Sequence, residues 1–197
     1  MKRATLMALL LAVACLVAAP ASGAVYTYMP SPDELWELEH QWAYEWGFEW
    51  THTDETITNV VLTYDNIWDW RVEIDNLYTH ILDDPTIGTN RYWDNEGGGD
   101  YFAGNTLVGT WHDPAGGSPT GFDLVYDFAD LGLVDDFALA ALDGTVGFGI
   151  DADCHYYNDG ITLKVYTECS TVPEPGTMAL LGIGLLGAGV TRRWKKR

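Results

Sequence analysis

A run of oxygen-bearing side chains near the C-terminal third of the chain offers the densest material for chemistry. Residues 151–160 read DADCHYYNDG, with carboxylates at Asp151, Asp153 and Asp159. Clustered carboxylates and amide carbonyls are hard oxygen donors of the kind that Ca²⁺ prefers. The stretch is not an EF-hand, because Tyr156 stands where such a loop needs its turn glycine. A polar hairpin loop has the same composition, so a Ca²⁺ site and a plain loop both stay open.

Aromatic side chains near predicted strand ends offer a second kind of site. The chain holds 9 Trp and 11 Tyr. Exposed rings of this type can stack on sugars, as in carbohydrate-binding modules, whereas buried rings build a core. Four tryptophans are the better candidates for exposure and stacking: Trp68, Trp70, Trp93 and Trp111.

Recognisable catalytic motifs are absent from the sequence. There is no Gly-x-Ser-x-Gly, no His-Glu-x-x-His and no phosphate loop. The five histidines are scattered, and two of them, His40 and His80, fall in strand patterns that favour packed, hydrogen-bonded roles. We therefore expect no enzymatic activity. A hydrolase without a known motif is the alternative.

The elements that must position these residues read as β. From Trp36 to Trp50 the even positions are aromatic, Leu or His, and the odd positions are Glu, Gln, Ala or Gly. A period of two predicts a strand with one buried face. Ser31-Pro32-Asp33-Glu34 before it is typical of a helix start, so we predict a helical turn over 31–36. A longer helix is the rival interpretation. Gly47 is expected to mark a bulge or break in so long a strand.

Further strands follow at short intervals. We predict them over 56–66, 77–82, 106–111, 122–128, 145–151 and 161–167, with one helix over 134–142. Many short strands with turn signals between them favour an all-β fold, a single jelly-roll-like β-sandwich.

Charge in this chain is unevenly distributed. The segment 24–171 holds 3 Lys and Arg against 28 Asp and Glu, which gives −25, although the whole chain carries −19. Such a charge favours solubility, disfavours nucleic acid as a partner and attracts cations.

Two cysteines, Cys154 and Cys169, lie in the same segment. An even count in an exported domain favours a disulfide between them, and two unpaired thiols are the alternative.

The first residues have the form of an export signal. Lys2 and Arg3 precede an apolar run from Leu6 to Val17, and Ala21-Ser22-Gly23 supplies small residues. This order predicts a signal peptide over 1–23, removed by signal peptidase. An uncleaved anchor is the alternative.

The last residues read as a second targeting signal. Val172, Pro173, Glu174 and Pro175 form a stiff, extended start. Residues 176–191 carry no charge, and as a transmembrane helix they would span about 24 Å against roughly 30 Å of hydrocarbon. A basic tail follows, which should remain cytoplasmic: Arg192, Arg193, Lys195, Lys196 and Arg197.

These three parts, in this order, resemble the PEP-CTERM sorting signal of Gram-negative-type bacteria. The resemblance implies recognition of residues 172–197 by an exosortase and an association with exopolysaccharide and biofilm. It implies that the domain at 24–171 is held briefly at the inner membrane and then passed to the cell surface or outside. We expect a non-enzymatic envelope or extracellular-matrix protein, with a carbohydrate-binding module acting on exopolysaccharide as the alternative.

Overall fold

The structure is a computed structural model that describes residues 23–72, 75–94, 98–113, 115–119, 121–169 and Gly184. The chain divides into two units. One is the compact unit Gly23–Glu168, and the other comprises Met1–Ser22 and Cys169–Arg197. The predicted signal peptide, Gly23 excepted, and the predicted sorting segment, Gly184 excepted, lie outside the described residues.

Strands account for most of the compact unit, and helices are few and short. A helical turn spans Leu35–Leu38, and two α-helices, α1 and α2, span Phe128–Leu131 and Val134–Ala140. The strands are β1 Gly23–Tyr28, β2 Trp42–Glu49, β3 Glu55–Asp65, β4 Trp68–Asp69, β5 Leu77–Asp83, β6 Gly88–Trp93, β7 Thr106–Trp111, β8 Leu124–Asp127, β9 Thr145–Ala152, β10 Tyr156–Tyr157 and β11 Gly160–Cys169.

The strands form three sheets. A four-stranded sheet has the order β1-β11-β3-β8, and a five-stranded sheet has the order β6-β2-β9-β5-β7. The third sheet is the short pair β10-β4. The strand pairs are antiparallel. The prediction of an all-β fold is confirmed.

One core joins the two larger sheets. Tyr28 of β1 stacks on Phe48 of β2 with ring centroids 4.4 Å apart. Tyr64 of β3 lies 2.8 Å from Thr79 of β5, hydroxyl to hydroxyl, where both side chains are buried. The inner faces of the sheets are therefore packed against each other, with the aromatic rings between them.

Strong periodicity predicted strands well. The strands predicted over 56–66, 77–82, 106–111, 145–151 and 161–167 agree within two residues with β3, β5, β7, β9 and β11. The strand expected over 122–128 is shorter, and the helix expected over 134–142 ends at Ala140. Four strands were not predicted. β1 and β6 lie at sheet edges with much of their surface exposed, and β4 and β10 have only two residues each, too few to show a period.

The start of the aromatic segment was predicted wrongly. Strand β2 begins at Trp42 rather than at Trp36. The helical turn that precedes it spans Leu35–Leu38 instead of 31–36. Leu35 and Leu38 are both fully buried. Burial at a spacing of three requires a turn, since a strand would place the two side chains on opposite faces.

The break expected at Gly47 is also wrong. Strand β2 keeps one register with β9 on both sides of Gly47, from Trp46 opposite Phe148 to Phe48 opposite Val146. A Cβ atom at Gly47 would lie 2.4 Å from the backbone oxygen of Thr86. Glycine is required there by the close approach of another chain segment.

The predicted disulfide between Cys154 and Cys169 is not present in the structure. Cys154 and Cys169 are both free thiols, the first buried and the second exposed. Cys169 ends β11, nine positions beyond Gly160, and a strand of that length extends about 30 Å. The returning strand thus carries Cys169 away from the loop that holds Cys154. The short separation of the two cysteines in sequence therefore did not indicate a short distance in space.

Candidate functional site

The two-stranded sheet of β4 and β10 concentrates the candidate site residues. Trp68 is paired with Tyr157, and Asp69 with Tyr156. The backbone N–H of Trp70 donates to the carbonyl of His155 at 3.2 Å and extends the pairing by one step. Because successive side chains of a strand point to opposite faces, this sheet has an aromatic side and an acidic side.

The outer side carries four rings in sequence, which we call the aromatic face: Trp68, Trp70, His155 and Tyr157. Trp68 stacks on Tyr157 at 4.4 Å and an interplanar angle of 25°. Tyr157 lies 4.3 Å from His155, and His155 lies 6.3 Å from Trp70. The guanidinium of Arg71 sits 3.9 Å above the Trp70 ring. Trp70 is 40% exposed, so the outermost ring of the face is open to a ligand.

Two carboxylates border the aromatic face. Glu37 Oε2 lies 3.7 Å from His155 Nε2, and Glu39 Oε1 lies 3.4 Å from His155 Nδ1. Both glutamates come from the turn Leu35–Leu38 and the residue that ends it. The pairing places hydrogen-bond acceptors beside stacking surfaces, which is the combination that a sugar ring with its hydroxyl groups requires.

A second group of aromatic residues surrounds Arg91. Its guanidinium lies 4.5 Å from the Trp42 ring and 5.2 Å from the Trp36 ring. Trp93 meets Trp42 edge to face at 5.2 Å and is 54% exposed. Arg91 is one of 3 cations in the segment 24–171, and here it is used for cation–π packing.

The four tryptophans predicted to stack on sugars thus lie at three separate locations on the compact unit. Trp68 and Trp70 lie together on the aromatic face, and Trp93 belongs to the group around Arg91. Trp111 is half-buried and stacks on Phe122 at 6.1 Å, with Tyr156 5.6 Å away on the core side. The geometry does not bring the four rings into one row.

The inner side of the small sheet is acidic and buried. Asp69 is fully buried, and its Oδ1 accepts hydrogen bonds at 3.1 Å from the backbone N–H of Arg71 and from the thiol of Cys154. The backbone N–H of Asp69 donates to the Asp113 carboxylate at 3.2 Å. Burial, together with the hydrogen bond to Asp69, raises the pKa of the Cys154 thiol to about 12. A buried Asp–Asp–Cys region therefore lies directly beneath the aromatic face.

The three aspartates predicted to bind Ca²⁺ fall into two groups. Asp151 is fully buried and interacts with Asp94 and Asp153. Asp151 Oδ2 accepts from the backbone N–H of Tyr101 at 2.7 Å. Burial, with the charges of Asp94 and Asp153, raises the pKa of Asp151 to about 7.

Asp159 belongs to the other group. It accepts a hydrogen bond at 2.8 Å from the side-chain amide of Asn66, and its charge acts on Asp65 beside Asp123. Hydrogen bonding to Asn66 is the loop role that was the alternative to metal binding for this residue.

A surface hollow lies elsewhere on the compact unit. It has a volume of about 220 Å³ and is lined by Ile81, Asp83, Gly104, Asn105, Thr106, Asp136, Leu139 and Ala140. Its two carboxylates are exposed. The hollow shares no residue with the aromatic face. His80, near one wall, is buried and bonded to Asp100 at 2.9 Å, which is the packed role expected for it.

Sequence reasoning missed that His155 and Tyr157 join the two tryptophans on the aromatic face and that two glutamates lie beside His155. A signal for part of the arrangement was present, since Trp68-Asp69-Trp70 alternates aromatic and acidic side chains. Such alternation is typical of a strand with one aromatic face.

The terminal segment is identified by comparison with known protein families. A family model described as the PEP-CTERM protein-sorting motif matches residues 171–196. The chain carries a PEP-CTERM sorting motif. The motif implies that the protein is exported and processed by an exosortase. In the part of the chain that the structure describes, no helix has the length and apolar character to cross a membrane.

The PEP-CTERM motif covers 26 of 197 residues and leaves the compact unit unassigned. No curated protein matches the chain.

Proposed function

We propose that the protein is a non-enzymatic component of the cell envelope or extracellular matrix that associates with exopolysaccharide. The PEP-CTERM motif carries this proposal, because it implies export and exosortase processing. The charge of −25 on segment 24–171 supports it, since a strongly acidic surface keeps an exported domain soluble. Signal peptidase removes residues 1–23 in this scheme, and the segment 172–197 anchors the chain in the inner membrane until it is cut.

The architecture behind this function is a jelly-roll β-sandwich. Eight strands, β1, β2, β3, β5, β7, β8, β9 and β11, are counted here as first to eighth. The four-stranded sheet then has the order first, eighth, third and sixth, and the other sheet has second, seventh, fourth and fifth. This is the order of a jelly roll, with β6 added at one edge. The fold is shared by many lectin-like domains and does not by itself assign a function.

The sorting proposal is tested by following two epitopes in the native host. One epitope is placed after Thr171 and the other after Arg197. The epitope after Thr171 should reach the surface or medium without the epitope after Arg197. Replacing Pro173, Glu174 and Pro175 with Ala should leave export intact and trap a heavier chain at the inner membrane. Both epitopes persisting on one membrane-bound chain would show that the segment is a permanent anchor.

A second candidate function, carbohydrate binding, is favoured by the aromatic face. Trp68, Tyr157, His155 and Trp70 present successive rings, and Glu37 and Glu39 supply acceptors beside them. Stacking of sugars on such rings excludes water from apolar ring faces, while the carboxylates accept from the hydroxyl groups. On this proposal the compact unit binds a chain of sugars from the exopolysaccharide.

Affinity electrophoresis in gels containing the exopolysaccharide of the native host tests this candidate. The purified protein should be retarded, and Trp70→Ala should remove most of the retardation. Trp93→Ala is the matched control, because Trp93 is more exposed than Trp70 but lies outside the aromatic face. Equal loss in both variants would contradict the assignment of the face. Release of new reducing ends from the polysaccharide would contradict the non-enzymatic role.

A further inference from the structure

Three side chains beneath the aromatic face have the spacing of metal ligands. A carboxylate oxygen of Asp69, a carboxylate oxygen of Asp75 and the sulfur of Cys154 all lie within 4.8 Å of one another. Asp69 and Cys154 are buried, and Asp75 is half-buried. The three residues come from β4, from the segment before β5 and from the loop before β10. The grouping thus depends on the tertiary fold.

Tyr156 provides an independent indication of a ligand at this place. Its side chain is fully buried, and its hydroxyl has no hydrogen-bond partner. The phenol interacts electrostatically with Asp69, Cys154 and Asp75, so it lies beside the same group. A buried hydroxyl without a partner costs free energy, and a bound ion with its water would supply one.

The chemistry of the ligand set selects the kind of ion. Ca²⁺ and Mg²⁺ take oxygen ligands, whereas Zn²⁺ takes Cys sulfur together with Asp oxygen. Ligands of a tetrahedral Zn²⁺ are about 3.5 Å apart, which is compatible with the observed limit of 4.8 Å.

We propose that Asp69, Asp75 and Cys154 bind a divalent transition-metal ion of the Zn²⁺ type, with Tyr156 lining the site. Binding removes the thiol proton to solvent and leaves a thiolate as ligand. The ion ties β4 to the loop before β10 and to the segment before β5, and so it stabilises the small sheet that presents the aromatic face. This site is independent of whether that face binds carbohydrate.

Cobalt spectroscopy tests the thiolate ligand directly. The full chain is purified in detergent, freed of metal with EDTA and titrated with Co²⁺. A thiolate-to-cobalt charge-transfer band should appear, saturate at one ion per chain and disappear when Zn²⁺ is added. A wild-type protein with native circular dichroism and no such band would overturn the proposal, without any variant having to fold.

Variants then locate the site. Cys154→Ser should abolish the band, and Asp75→Asn should weaken Co²⁺ binding at least tenfold. Cys169→Ser is the matched control and should leave the spectrum unchanged, because that thiol is exposed and outside the group. Loss of the band in Cys169→Ser, or its persistence in Cys154→Ser, would place the thiolate elsewhere. A rise in melting temperature with Ca²⁺ equal to that with Zn²⁺ would also contradict the transition-metal assignment.

Discussion

The fully buried carboxyl group of Asp151 accepts a hydrogen bond from the backbone N–H of Tyr101 at 2.7 Å. Burial and the neighbouring Asp94 and Asp153 raise the pKa of Asp151 to about 7. This relationship makes the fold sensitive to pH in a defined direction.

The stability of the protein should fall as pH rises from about 4 to about 7 because of Asp151. The folded state holds the Asp151 proton more tightly than the unfolded state. The contribution of Asp151 to the free energy of unfolding is therefore fully present at low pH, and it is lost as pH rises through the pKa of the folded state. Asp151→Asn should remove this component and be more stable than wild type at pH 8, by up to about 4 kcal/mol. Urea unfolding at several pH values measures it. Asp54→Asn, at an exposed position, is the control, and an identical pH profile for wild type and Asp151→Asn would contradict the prediction.

Thiol chemistry should distinguish the two cysteines. Cys169 is exposed, whereas Cys154 is buried and burial raises its pKa to about 12. Since the thiolate is the reactive form, iodoacetamide should label Cys169 rapidly and Cys154 only after unfolding. Mass spectrometry of metal-free, processed protein checks this. A linked peptide pair containing both cysteines would restore the disulfide that the sequence suggested.

Replacing Gly47 with Ala should destabilise the protein. The added methyl group would lie 2.4 Å from the Thr86 backbone oxygen, and backbone cannot move aside as a side chain can. Overpacking of this kind costs about 1–3 kcal/mol, measured by denaturant unfolding. Gly99→Ala is the matched control, because nothing lies within 4 Å of a Cβ atom there. Equal midpoints for the two variants would show that the approach of Thr86 is not restrictive.

Replacing Glu37 with Gly should stabilise the turn Leu35–Leu38. Glu37 has φ 59° and is exposed, and a left-handed conformation costs a non-glycine residue about 1–2 kcal/mol. Part of this gain is offset by the entropy of glycine in the unfolded chain, so we expect a rise in melting temperature of a few degrees. Glu49→Gly, in the extended strand β2, should lower the melting temperature. A fall in both variants would contradict a strained turn.

Much of the fold follows from short-range patterns in the sequence. The alternation in β3 and β11 marked strands because alternate side chains of each are buried, and the period of side chains in a strand is two. The basic cluster, the apolar run and Pro173-Glu174-Pro175 indicated the sorting motif, since such a signal is read from linear sequence. These features depend only on residues that are close together in the sequence.

Tertiary structure alone decided which side chains meet. Asp69 and Cys154 are 85 positions apart and form a hydrogen bond, while Asp151 and Asp159, eight positions apart, belong to different groups. Cys154 and Cys169 are close in sequence, but β11 carries them to separate places. The physical reason is that a strand moves about 3.3 Å per residue and sheet pairing then joins distant segments, so nearness along this chain does not predict nearness in space.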